Sequence, residues 1–105
     1  MMIMQPDWIT PALVEIAIAQ AAKGKNLPAL SRLRFETCHE GLAVQIMHIG
    51  TYDDEGPILA QLHREFLPQH SYRESGKHHE IYLSDPRQVA PEKLKTVLRQ
   101  PVREV

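Results

Sequence analysis

Between Gly41 and Gly50 runs Leu42 to Ile49, read as Leu-Ala-Val-Gln-Ile-Met-His-Ile, and no other stretch limits the fold as much. As a strand it places Leu42, Val44, Ile46 and His48 on one face and Ala43, Gln45, Met47 and Ile49 on the other. Both faces are mostly apolar, so the run is expected to be a central strand in a covered sheet. His39-Glu40-Gly41 reads as the turn before it. The alternation of Leu33, Phe35 and Thr37 with Arg32, Arg34 and Glu36 predicts a half-buried strand on the other side of that turn.

The flanking sequence supplies helices. Thr10-Pro11 has the form of a helix start, Leu13, Val14, Ala17, Ile18 and Ala21 form one apolar face, and Gly24 ends it. A second helix opens near Pro57, after Asp53 and Asp54, and buries Ile58, Leu59, Leu62 and Phe66 as far as Pro68. Met1 to Met4 reads as a short apolar strand stopped by Pro6. Gln69 to Lys77 reads as an exposed loop. His79, Ile81 and Leu83 alternate with His78, Glu80, Tyr82 and Ser84 as another strand, and Lys95 to Gln100 is the last, closed by Pro101. The expected class is α+β, an antiparallel sheet with helices packed on one face.

Composition narrows the function. The chain has 105 residues, room for a single domain, and its 43% hydrophobic and 24% charged residues are those of a globular protein. A net charge of -1 offers no general attraction to nucleic acid or to an anionic membrane, and no apolar run approaches the ~20 residues of a membrane span. One cysteine, Cys38, cannot make an internal disulfide, and the start lacks the basic segment of a signal peptide. A cytoplasmic protein is expected. Six histidines invite a metal, but His78 and His79 are adjacent on a strand and point to opposite faces, so no metal and no cofactor are expected.

Glu80 is the residue of interest. It shares a sheet face with Tyr82, with Ile81 and Leu83 expected on the opposite face toward the helices. A carboxylate beside an aromatic ring binds a cation or polarises a water; the plainer alternative is a solvated charge paired across strands with Arg99. Tyr52 is read as either a half-buried core tyrosine or a pocket residue. Trp8 is read as a corner anchor or a stacking platform.

The residues Val44-Gln45-Ile46-Met47-His48-Ile49-Gly50-Thr51-Tyr52-Asp53-Asp54-Glu55, then Gly76-Lys77-His78-His79-Glu80-Ile81-Tyr82-Leu83-Ser84-Asp85-Pro86-Arg87 and Ala90-Pro91-Glu92-Lys93-Leu94-Lys95-Thr96, resemble the GyrI-like small-molecule-binding domain. That family duplicates a strand-helix-strand-strand module around a pocket. The resemblance implies one half-length domain over residues 1–105, with residues 33–101 as the second module and residues 1–24 as the linking strand and helix. It implies a pocket carboxylate at Glu80 and a pocket tyrosine at Tyr52. With Tyr82, His48 and Trp8 these form the candidate ligand-binding set.

Two functions follow from the resemblance. One is binding of small aromatic, cationic or hydrophobic compounds. The alternative is a hydrolase opening the cyclopropane ring of alkylating natural products, with Glu80 as the catalytic residue. The expected partner beyond the ligand is a second copy in a homodimer, or a complementary half-domain. An apolar sheet face that includes Met47 and Ile49 calls for such cover.

Overall fold

The computed structural model describes all residues, Met1 to Val105, and the chain divides into two compact units, Met1–Cys38 and His39–Val105. In the first, helix α1 spans Pro11–Gly24, and Thr10 caps it by accepting the Leu13 amide at 3.3 Å. A 3₁₀ segment, Pro28–Arg32, follows. The strands expected at Met1 to Met4 and at Leu33 to Thr37 are absent: both stretches lack regular structure. Alternation makes a sequence competent for a sheet, but a strand exists only where a neighbour takes its amides and carbonyls.

The second unit carries the sheet. Strand β1 is Ala43–Ile49, β2 is Tyr72–Glu74, β3 is His79–Tyr82 and β4 is Lys95–Glu104, all antiparallel to β4. The central strand is therefore β4, and β1 lies at the edge, contrary to the expectation from its two apolar faces. β4 also runs on through Pro101. The Val102 amide binds the Leu42 carbonyl on the β1 side, so the missing Pro101 amide faces the other neighbour, at the interruption between β2 and β3. There the Ser75 amide donates to the Pro101 carbonyl. The stretch read as a loop after Gln69 thus contributes β2.

Helical structure covers one face of this sheet over residues 56–69, as α2 (Gly56–Gln61), a π-helical turn (Leu62–Phe66) and α3 (Leu67–Gln69). The wider turn lets Leu62 and Leu67, five apart, both enter the core with Val102, Val44 and Tyr72. Phe66, which a period of 3.6 assigns to the core, is displaced to 38% exposure. The cross-strand register puts Val44, Ile46 and His48 of β1, Thr96, Leu98 and Gln100 of β4, and Glu80 and Tyr82 of β3 on the helix-covered face. Ile81 and Leu83 lie on the far face with Met47 and Ile49, and all four are exposed. The expectation that Ile81 and Leu83 meet the helices is thus reversed. No helix is long and apolar enough to cross a membrane.

Candidate functional site

The site begins where β1 ends. Gly50 adopts a φ of 138°, which side-chain-bearing residues rarely take, and its amide donates to the Leu94 carbonyl at 2.9 Å. The chain turns there into a 3₁₀ segment, Tyr52–Glu55. In such a helix residues three apart eclipse, so Tyr52 and Glu55 project on the same side. Asp53 and Asp54 remain exposed, and the Asp54 carboxylate accepts the Thr51 hydroxyl at 2.7 Å. Glu55 is carried into the interior at 5% exposure.

His48, one turn of backbone earlier, is also buried, and its Nε2 donates to the Thr51 carbonyl at 2.8 Å. A carbonyl can only accept, so Nε2 holds the hydrogen of this bond. Opposite stands β3. Glu80 accepts the Tyr82 hydroxyl at 3.0 Å through Oε2, and its Oε1 lies 3.6 Å from His78 Nε2. The Tyr52 and Tyr82 rings meet edge to face at 5.4 Å between centroids.

The two carboxyls face each other, and their environments separate them. Burial, then the hydrogen bond and the charge of Glu80, push the Glu55 pKa up to about 7, with His48 opposing. Burial also disfavours charge on Glu80, but hydrogen bonds from Glu55, Tyr82 and His78 outweigh it and hold that carboxyl below its ordinary value. The Tyr82 hydroxyl is pushed above its usual range by its bond to Glu80, then by burial. The pair therefore retains one proton in weakly acidic solution, Glu55 as the acid and Glu80 as the anion. Divergent pKa values in neighbouring carboxyls suit a cation-binding wall or an acid-base pair equally well.

Of the five residues expected at the site, four converge: Glu80, Tyr82, Tyr52 and His48. Trp8 belongs to the first unit, where it is exposed. The Glu80–Arg99 pairing is not found. Arg99 lies on the far face, where it meets Glu40 and donates to Gln45 at 2.8 Å. Sequence reasoning missed Glu55 and His78. The three-residue spacing of Tyr52 and Glu55 was the available signal for the first, once the turn is recognised as 3₁₀. No group of three or more potential metal ligands converges in the structure.

Glu80 lines neither of two concavities of the surface. An apolar cleft of about 130 Å³ lies between β1 and the helical segment, lined by Val44, Ile46, Ile58, Leu62 and Phe66. A shallow depression of about 300 Å³ lies near His63, Tyr72 and Arg73.

A model of the GyrI-like small molecule binding domain matches residues 12–103. The chain belongs to that family. Among solved structures, this GyrI-like chain is similar to a hydrolase from Listeria innocua, at 40% identity and a TM-score of 0.77 over 94% of this chain and 52% of the other. It is also similar to an uncharacterized conserved protein from the same organism, at 42% identity and a TM-score of 0.81 over 94% and 50% of the two chains. The GyrI-like chain thus spans about half the length of these relatives. A search of curated proteins finds no match.

Proposed function

We propose that this GyrI-like domain binds flat aromatic cations against the wall made by Glu80, Tyr82 and Tyr52. The observation that carries this reading is an anionic carboxylate held in place by a tyrosine hydroxyl, with a second tyrosine ring packed edge-on beside it. The carboxylate supplies the countercharge. The rings add apolar area and attraction to a cation above their faces. Glu80→Gln keeps the shape and removes the charge, so a fluorescence titration with a cationic aromatic dye should show affinity at least about tenfold weaker, the equivalent of ~1.4 kcal/mol. Unchanged affinity removes Glu80 from the site.

A wall is only one side of a pocket. Enclosed ligand sites typically span ~300 to 1,000 Å³, and Glu80 lines neither the cleft beside β1 nor the depression near Tyr72. A second module completes the site in this reading, most simply another copy in a twofold dimer; Met47, Ile49, Ile81 and Leu83, on the opposite face of the sheet, lie outside that contact. A separately encoded half-domain is the alternative partner.

A second reading, hydrolysis of an activated cyclopropane, draws support from the Listeria innocua hydrolase and from the carboxyl pair. In it Glu80 accepts a proton from water as the water oxygen bonds to the ring methylene. The strained carbon–carbon bond breaks, its electrons pass to a conjugated carbonyl oxygen, and that oxygen takes a proton from the Tyr52 hydroxyl. Incubation with a cyclopropane-bearing alkylator and mass spectrometry separates the readings: turnover adds the mass of one water, whereas binding leaves the compound unchanged.

A further inference from the structure

Strand β1 pairs with β4 along one side only, so its other side is a free edge seven residues long. The Gly50 amide and the Leu42 carbonyl both bond toward β4, so by alternation the backbone groups of Ala43, Gln45, Met47 and Ile49 point to the free edge. Edge strands are usually shielded by charge, proline or brevity, and residues 43–49 contain no Lys, Arg, Asp, Glu or Pro. Beside that edge, on the helix-covered face, runs the apolar cleft lined by Val44, Ile46, Ile58, Leu62 and Phe66. The same chain holds a segment of the complementary kind. Leu33, Phe35 and Thr37 alternate with Arg34 and Glu36, Leu33 has extended backbone, and the Leu33 and Phe35 side chains are exposed, yet the segment has no ladder.

We propose that residues 33–37 of one copy add as an antiparallel strand to the free edge of β1 in a second copy, and reciprocally, so that two exchanged strands join the dimer. The inference rests on the two-copy reading of the site and adds to it the contact that holds the copies together.

Alternation and length set the register. Leu33 and Phe35 meet the cleft only if they share a face with Val44 and Ile46, and all five residues stay within Ala43–Ile49 only if Phe35 stands opposite Ile46. Leu33 then faces His48, and Thr37 faces Val44. Arg34 and Glu36 fall on the far face, opposite Met47 and Gln45. There the Arg34 stem covers the Met47 side chain, and the Glu36 carboxylate comes beside the residue that accepts from the Arg99 guanidinium, a match of charge. Arg34 and Glu36 are already paired at 3.4 Å, so a neutral segment meets an uncharged edge.

The occupant is another copy's segment because a chain's own is steered away. Glu40, between the segment and β1, is held by Arg99 of β4 and by His79 of β3, the latter at 3.6 Å, and both strands lie on the side of β1 opposite its free edge. Folding residues 33–37 back as a hairpin would break both contacts. A twofold exchange keeps them and closes, since each copy gives one strand and receives one.

Cysteine pairs test this, with Cys38 replaced by Ser throughout. Positions 35 and 46 form a non-hydrogen-bonded pair in this register, about 4.5 Å between Cα atoms and within reach of a disulfide. Under mild oxidation, Phe35→Cys chains mixed with Ile46→Cys chains should give a covalent dimer of one each. Phe35→Cys mixed with Met47→Cys, whose side chain lies on the opposite face, should not. Phe35→Asp, at an exposed position, should keep the circular dichroism of the wild type and raise the dimer dissociation constant at least about tenfold in sedimentation measurements. A wild-type dimer whose 35–46 cysteines stay unlinked, or that Phe35→Asp leaves as tight, overturns the exchange while leaving the dimer in place. A Phe35→Cys/Ile46→Cys double variant that bridges within one chain overturns it in favour of a hairpin. A wild-type monomer overturns the two-copy reading as well.

Discussion

Glu55→Gln should make the protein more stable, and increasingly so as the pH rises. Glu55 has its folded pKa raised from 4.5 to about 7 by burial and by Glu80, so between these values the folded chain keeps a proton that the unfolded chain has lost. Stability then falls with rising pH, at up to 1.36 kcal/mol per unit for one proton, and levels off above pH 7. A shift of this size corresponds to roughly 3 kcal/mol lost across the window. Glutamine stays neutral and can donate its amide hydrogen to Glu80, so this loss disappears in the variant. Glu80, with its pKa lowered, acts in the opposite sense: its contribution is present above its unfolded pKa and is lost only as the pH falls below that. It therefore does not enter the interval from pH 5 to 8. Urea melts of the two proteins at half-unit steps from pH 4.5 to 8 give that difference directly. Curves that run parallel throughout would falsify the assignment of the retained proton to Glu55.

Leu62→Ala vacates the helix-to-sheet core and should cost roughly 2 to 5 kcal/mol in denaturant melts, whereas Phe66→Ala, which removes a half-exposed ring, should cost clearly less; equal losses would mean that the π-helical turn does not set the buried face. Gly50→Ala forces a side chain onto a φ of 138° and should destabilise by about 1 to 3 kcal/mol, read from the same melts. Tyr82→Phe removes the hydroxyl that supports the Glu80 charge, and NMR titration should find the Glu80 pKa higher than in the wild type. Size measurement by light scattering should give twice the 12.0 kDa chain mass at micromolar concentration; a ligand-free soluble monomer contradicts the dimer and leaves the separate half-domain.

The local elements were legible because their causes are local. Thr10-Pro11 and Gly24 bound α1, the glycines around residues 42–49 bound β1, and the alternation near Glu80 marks β3 and puts Tyr82 on its face. A period of two or 3.6, a cap and a breaker all act within a few residues, so the chain's order alone carries them. The resemblance to the GyrI-like family was legible for the same reason, as long ordered matches.

Partnership was not legible, because it depends on which distant segments meet. The alternating residues 33–37 satisfied every local condition for a strand and found no ladder, while the polar residues 72–74 found one on β4. The apolar richness of β1 suggested a centre, but the ten residues of β4 pair with all three other strands and put β4 there instead, despite the amide missing at Pro101. The site followed the same logic. Sequence alone determined that Glu80 and Tyr82 share a face; only the tertiary structure decided that the face is the helix-covered one, that Arg99 is not on it, and that Glu55 is. A strand's alternation fixes which side chains go together, but which side is buried depends on where a helix from elsewhere in the chain comes to rest, and that packing creates the low-dielectric setting in which two carboxyls come to share one proton.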